Sequence, residues 1–127
     1  MKAKEFNPFR ELAIAAARAA DDKKAEEILL VDVRTTSILA DFVLLVSVTS
    51  PAHLEAVQNA IEDMLAPSGV ELCHRDGSHS AQWRVLDYGG ILVHLMQSEA
   101  RDFYALDKLY HDAPKQRWAP VVRKAKA

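Results

Sequence analysis

Apolar and polar positions follow two different periods along the chain, and these periods predict its helices and strands. Residues 9–20 are alanine-rich and return apolar side chains to one face every three or four positions, which predicts a first helix. Two apolar runs rich in branched side chains follow at 28–33 and 42–48, and we interpret both as strands. The second run is apolar on both faces, so we expect it to be covered on both sides.

The rest of the chain predicts a second helix, three more strands and a last helix. Ser50 can cap free backbone amides and Pro51 suits the first helical position, so a helix starts here. The three strands and the last helix are predicted at 70–74, 83–88, 91–96 and from Ser98 onward. Between the last two strands, Gly89-Gly90 predicts a hairpin turn, because both glycines can take positive φ. The order α-β-β-α-β-β-β-α predicts an α+β fold, a mixed sheet flanked by helices.

Charge is distributed unevenly along the 127 residues. The net charge is −2, but residues 115–127 carry five bases and no acid, which leaves −7 on residues 1–114. We therefore predict a single domain over residues 1–114 and a basic, flexible C-terminal tail over residues 115–127. An acidic body repels a phosphate backbone and favours a basic partner. The tail could contact nucleic acid or stay solvated.

Several classes of protein are excluded by composition. The strongly apolar run at residues 42–46 is far shorter than the roughly 20 residues of a membrane-spanning helix. The N-terminal residues lack the apolar stretch of a secretion signal. One cysteine, Cys73, cannot form an internal disulfide, which fits a reducing compartment. We expect a soluble protein of the cytoplasm with no membrane partner.

Residues capable of catalysis or metal binding occur without the spacing that such chemistry needs. The candidate metal ligands are Cys73, His74, Asp76 and His79. They do not follow the paired spacing of known zinc motifs, so we expect no metal. The chain has no nucleophile elbow and no glycine-rich phosphate loop, so we predict no cofactor and no enzymatic activity. Gly77-Ser78 could begin a nucleotidyltransferase signature, but the pair of carboxylates that would hold its metal ions is missing.

The strand at 83–88 places an aromatic side chain on each of its two faces. Alternation puts Trp83 on one face and Tyr88 on the other. Tryptophan and tyrosine are enriched at the energetic centres of protein interfaces, so we expect one of them to face outward. Packing of both in the core stays open as the alternative. In the next strand, we interpret His94 as a core histidine bonded to a neighbour rather than as a general base.

Three segments together carry a resemblance to a known family. They are Trp83 with Asp87-Tyr88-Gly89 and Val93-His94; Arg101, Tyr104, Leu106 and Leu109 before Asp112-Ala113-Pro114; and, upstream, Asp32-Val33 with 37–42. This combination resembles the ribosomal silencing factor family, also called Iojap-like. The resemblance covers residues 9–114.

The resemblance implies a fold, a function and a set of binding residues. The fold is nucleotidyltransferase-like but lacks the catalytic carboxylates, and the implied factor is not an enzyme. It binds the large ribosomal subunit through ribosomal protein fourteen, blocks joining of the small subunit and represses translation under nutrient limitation. By position, Trp83 is placed in the ribosomal contact, and Asp87, Tyr88 and Met96 are further partner-binding residues of the same hairpin.

Two departures from the family pattern and two rival functions accompany this interpretation. Gly90 stands where the family usually has an acid, and Tyr110 stands where a tryptophan is common. The basic tail lies outside the resemblance, and we expect it to contact ribosomal RNA. One rival function is an enzyme that acts on nucleotide or RNA. The other is a homodimeric adaptor that uses the aromatic hairpin as its own interface.

Overall fold

One five-stranded sheet organises the chain, with helices on both of its faces. The structure, a computed structural model, describes residues 8–37, 39–77 and 80–120. In chain order its elements are α1 (Pro8–Asp22), β1 (Glu26–Asp32), β2 (Phe42–Val48), α2 (Pro51–Leu65), β3 (His74–Asp76), β4 (Trp83–Asp87), β5 (Ile91–Gln97), α3 (Ser98–Tyr104) and α4 (Leu106–Leu109). The predicted α+β class with a mixed sheet is confirmed.

The strand order is β1-β2-β5-β4-β3. Strands β2 and β5 run parallel, and the other neighbouring pairs are antiparallel. Every residue of β2 is buried, as we predicted from its apolar character on both faces. A hairpin turn joins β4 to β5, and their antiparallel pairing places Trp83 opposite Met96 and Val85 opposite His94.

Two apolar cores lie on opposite faces of this sheet. The first face, here called the helical face, is covered by α1 and α2 over side chains such as Phe42, Leu44 and Leu95. The other face, here called the open face, carries a smaller core that includes Val43 and Met96. Helices α3 and α4 pack on this smaller core through Ala100 and Leu106.

Helices α1 and α2 form for the reasons that the sequence indicates. Buried alanines along α1 let it lie close to α2 and the sheet. The Ser50 hydroxyl accepts a hydrogen bond from the His53 amide at 3.0 Å, and Pro51 is the first helical residue. Both helices have 15 residues. No helix in the described ranges is long and apolar enough to cross a membrane.

Two local expectations are corrected by the structure, and the predicted hairpin turn is confirmed. The third strand is at His74–Asp76 rather than at 70–74. The last helix is broken in two, because Ala105 takes the left-handed conformation with φ of 52°. In the hairpin turn only Gly89 has positive φ, at 84°. Gly90 has a different role, since a Cβ there would overlap the Phe9 ring.

The segment after Pro114, where the sequence predicts a flexible tail, begins with contacts to the sheet. Lys115 pairs with Val31, and the Gln116 amide donates to the Leu30 carbonyl at 2.8 Å. Trp118 packs against the core of the helical face. Residues 115–118 therefore lie on the domain. The predicted flexibility of residues 121–127 falls outside the described residues.

Candidate functional site

Trp83 begins β4 and lies on the open face of the sheet. Its ring is half-buried and packs against the smaller core. Its partner on the neighbouring strand β5 is Met96. The indole Nε1 donates a hydrogen bond to Nδ1 of His94 at 3.1 Å. Trp83 is thus held on its polar edge while part of its ring stays accessible.

His94 is a buried core histidine bonded to a neighbour, as we predicted. Only 8% of the residue is exposed. This burial lowers the pKa of His94 to about 4, because the charged imidazolium loses its hydration. The ring is therefore neutral at pH 7, with Nδ1 free of a proton to accept the bond from Trp83.

Two further aromatic side chains extend from Trp83 across α3. The Tyr104 ring lies against the Trp83 ring with a centroid distance of 4.6 Å, and Phe103 meets Tyr104 edge to face at 4.9 Å. Phe103 is 79% exposed and Tyr104 is 52% exposed. We call these three residues the aromatic strip. Rings that make contact with each other and with solvent are typical of an interface centre.

We did not predict Phe103 and Tyr104 as site residues from the sequence. One signal could have identified them. Consecutive residues of a helix point about 100° apart, so two adjacent aromatic side chains cannot both face a core beneath the helix. At least one of Phe103 and Tyr104 had to be exposed.

Further apolar and acidic side chains lie on the open face and on α3. Val85 and Leu92 are half-buried on the open face. Glu99 and Asp102 are exposed on α3. The net charge of −7 on residues 1–114 makes a basic partner favourable.

The structure does not bring the four predicted partner-binding residues together on one surface. Met96 is fully buried opposite Trp83 on the neighbouring strand, so it can support the surface but has nothing exposed to touch a partner. Tyr88 is 5% exposed and lies on the helical face, where burial raises its pKa to about 12. Asp87 is partly exposed, and its Oδ1 accepts a hydrogen bond from the Gly89 amide at 2.8 Å. Trp83 alone joins the aromatic strip.

The candidate metal ligands are spread around β3. Cys73, His74 and Asp76 are exposed there, and His79 lies outside the described residues, as does Ser78 of the possible nucleotidyltransferase signature. Over 8–37, 39–77 and 80–120, no three His, Cys, Asp or Glu side chains form a group that could hold a metal ion.

A cleft of about 560 Å³ lies between β1 and the α3–α4 pair. Arg101 lines it, but its guanidinium is already bonded to Asp107 and Ser47. In the described part of the chain, every buried side-chain nitrogen or oxygen has a hydrogen-bond partner. The cleft therefore presents no buried polar group that needs a ligand, and the aromatic strip is the better candidate for recognition.

Comparison with known proteins gives a consistent result over nearly the whole chain. A family model described as "Ribosomal silencing factor during starvation" matches residues 7–127. The ribosomal silencing factor RsfS of Bacillus subtilis is 37% identical over 103 residues, which cover 81% of this chain and 86% of that protein. RsfS of Treponema pallidum is 40% identical over 102 residues, covering 79% and 90%. A crystal structure of a Chromobacterium violaceum protein superimposes with a TM-score of 0.76 at 25% identity, covering 92% of this chain and 97% of that one.

Proposed function

Because this chain belongs to the ribosomal silencing factor family, we propose that it represses translation by binding the large ribosomal subunit. Ribosomal protein fourteen is the proposed docking partner, and the proposed effect is a steric block to joining of the small subunit under nutrient limitation. In this proposal the factor acts in the cytoplasm without enzymatic chemistry. The observation that carries it is the aromatic strip on the open face.

The strip has the features that a protein partner needs. Trp83 has its indole N–H already bonded to His94, so its exposed ring can meet an apolar surface without leaving that donor unpaired. Phe103 and Tyr104 enlarge the apolar area beside it. A few such side chains usually supply most of the affinity of an interface.

Charge supports a basic partner over a nucleic acid at this surface. Residues 1–114 carry a net charge of −7, and Glu99 and Asp102 are exposed on α3, the helix that carries Phe103 and Tyr104. Opposite charges on two partners accelerate their encounter, and the acceleration weakens as salt is added. The basic tail is different, and for it we propose a contact with ribosomal RNA.

Light scattering of purified ribosomal subunits tests the proposal directly. We expect the folded protein in excess to reduce association of the two subunits, and we expect free ribosomal protein fourteen to reverse the effect by occupying the factor. Normal association at saturating amounts of folded protein would contradict the proposal.

Two further measurements address the rival functions. A mass that rises with concentration and falls to that of a monomer on Trp83→Ala would favour the homodimeric adaptor. Metal-dependent turnover of a nucleoside triphosphate would favour an enzyme. Neither result is expected if the strip is a docking surface for a ribosomal protein.

A further inference from the structure

Arg101 lies on α3, three residues before Tyr104 of the aromatic strip, and joins four parts of the fold. It is 5% exposed and belongs to α3. Its Nη1 donates to the Glu27 carbonyl in β1 and to the Ser47 hydroxyl in β2, the latter at 3.1 Å. Its Nε and Nη2 donate to the two carboxylate oxygens of Asp107 in α4, at 2.9 and 2.8 Å.

This set of bonds fixes the guanidinium in direction as well as in place. A guanidinium and a carboxylate that share two parallel hydrogen bonds must lie nearly in one plane. The third nitrogen, Nη1, donates to the Glu27 carbonyl and to the Ser47 hydroxyl. The Arg101 guanidinium also holds the pKa of Asp107 below its usual range, so this carboxylate is ionised at neutral pH.

Helix α3 depends on such outside contacts because it is weak on its own. It has seven residues and no side-chain cap at its start. It ends at Ala105, whose left-handed conformation separates it from α4. A helix of this length is unstable in isolation, so its orientation is determined by what it packs against.

Arg101 and Tyr104 are three positions apart on this short helix. Residues at that spacing lie on neighbouring parts of the helix surface and move together when the helix rotates or shifts. The Tyr104 ring meets Trp83, which belongs to the sheet, at 4.6 Å. The contact between the two rings therefore depends on how α3 is attached to the sheet.

We propose that Arg101 is a positioning residue for the protein-binding surface. By tying α3 to β1, β2 and α4, it places the Tyr104 ring against Trp83 and so assembles the aromatic strip. Its own side chain is too deeply buried to touch a partner. The part of this inference that concerns partner affinity rests on the proposed function, whereas the placement of Tyr104 concerns the free protein.

The placement can be tested without any partner. The chain has two tryptophans, so Trp118→Phe leaves Trp83 as the only indole. In this background we expect Asp107→Asn and Arg101→Gln to change the emission and near-ultraviolet circular dichroism of Trp83 in the same direction as Tyr104→Ala. Asp107→Asn should disturb folding less than Arg101→Gln, since 46% of the Asp107 side chain is exposed.

The matched control is Glu62→Gln, which weakens another arginine–carboxylate pair, with Arg75, between α2 and β3. We expect it to leave the Trp83 signals unchanged. If folded Asp107→Asn and Arg101→Gln proteins both kept the Trp83 signals of the parent, Arg101 would not position Tyr104.

A double-mutant cycle extends the test to binding. We expect Asp107→Asn to weaken affinity for ribosomal protein fourteen about fivefold, and to have less than about a twofold effect when Tyr104→Ala is already present. An equal loss in both backgrounds would mean that the pair acts on general stability, and the inference would be wrong. If the parent protein did not bind ribosomal protein fourteen, the proposed function would fail while the Trp83 signals still decided the role of Arg101.

Discussion

The indole N–H of Trp83 in β4 donates to Nδ1 of His94 in β5, at 3.1 Å. The bond requires an unprotonated Nδ1, and burial lowers the pKa of His94 to about 4, which keeps it so at neutral pH. The buried His94 therefore holds Trp83 in place, and Trp83 in turn supports the Tyr104 ring of the aromatic strip. The two side chains link the stability of the hairpin to pH.

The stability of the protein should decrease when the pH falls from 7 to 5. The pKa of His94 is about 4 in the folded chain against 6.5 ordinarily, so the unfolded chain takes up a proton first. Stability from this group is thus complete above pH 6.5 and is lost as the pH falls towards 4. We expect the free energy of unfolding to drop by about 2 kcal/mol between pH 7 and pH 5. Urea unfolding at several pH values measures it.

His94→Gln is the control for this pH dependence. A glutamine does not titrate, and its amide oxygen is able to accept a hydrogen bond from an indole N–H. Asp32, Glu62 and Asp107 have lowered pKa values, so the stability that they contribute is lost only at lower pH, when these carboxylates become protonated. Equal slopes for the parent and His94→Gln between pH 7 and pH 5 would show that His94 is not responsible.

Trp83→Ala should weaken binding to ribosomal protein fourteen by about 2 kcal/mol or more, the effect of an interface hot spot. The loss follows from removing the ring that Tyr104 and the smaller core support. Titration calorimetry with the purified ribosomal protein measures it. Trp118→Ala is the matched control, because it truncates the same residue type against the core of the helical face. Unchanged affinity in a folded Trp83→Ala protein would remove Trp83 from the site.

The parts of the fold that could be predicted from sequence carry local physical signals. Strand β2 runs over the predicted residues because a short run apolar on both faces has few other stable arrangements. Helix α2 begins where Ser50 and Pro51 predict, since capping is chemistry between residues a few positions apart. Alternation correctly placed Trp83 and Tyr88 on opposite faces of β4.

The parts that could not be predicted depend on contacts between distant residues. Nothing near Ala105 indicates a helix break, because alanine has the highest helix propensity and rarely adopts positive φ. The break lies between Arg101 and Asp107, whose ion pair joins the two short helices. The position of Tyr104 over Trp83 depends on that arrangement. The alternation of side chains along β4 also did not reveal which of its two faces α1 and α2 would cover.

Gly90→Ala should destabilise the protein by about 1–3 kcal/mol, the usual cost of forcing a methyl group into a packed site. The added Cβ would overlap the Phe9 ring of α1. This contact also gives a physical reason for glycine at this position. Thermal and urea unfolding measure the change. In a Phe9→Ala background the same substitution should cost much less, and an equal cost in both backgrounds would contradict this explanation.

Ala105→Gly should be neutral or stabilising, although glycine normally weakens helical segments. At φ of 52° an alanine side chain is strained by about 1–2 kcal/mol, and glycine is not. The greater freedom of glycine in the unfolded chain offsets about 0.4–1 kcal/mol of that relief. The control is Ala56→Gly on the exposed side of α2, which should cost about 1 kcal/mol. Similar losses at the two positions would argue against strain at Ala105.

Removing residues 121–127 should reduce the salt dependence of binding to the large subunit. The deletion takes away Arg123, Lys124 and Lys126 but keeps residues 115–118, which contact β1 and the core. If these three bases each neutralise an RNA phosphate, the slope of log affinity against log salt should become shallower by about 2–3.

Glutamine at all three positions in the full-length chain is the matched control, and it should reproduce the deletion if charge is the cause. Isolated ribosomal protein fourteen carries no RNA, so the slope for binding to it should not change in either variant. Co-sedimentation with large subunits between about 50 and 200 mM salt spans the range in which such contacts weaken steeply. Identical slopes for the full-length and shortened chains on large subunits would rule out the RNA contact and leave docking to the open face of the sheet.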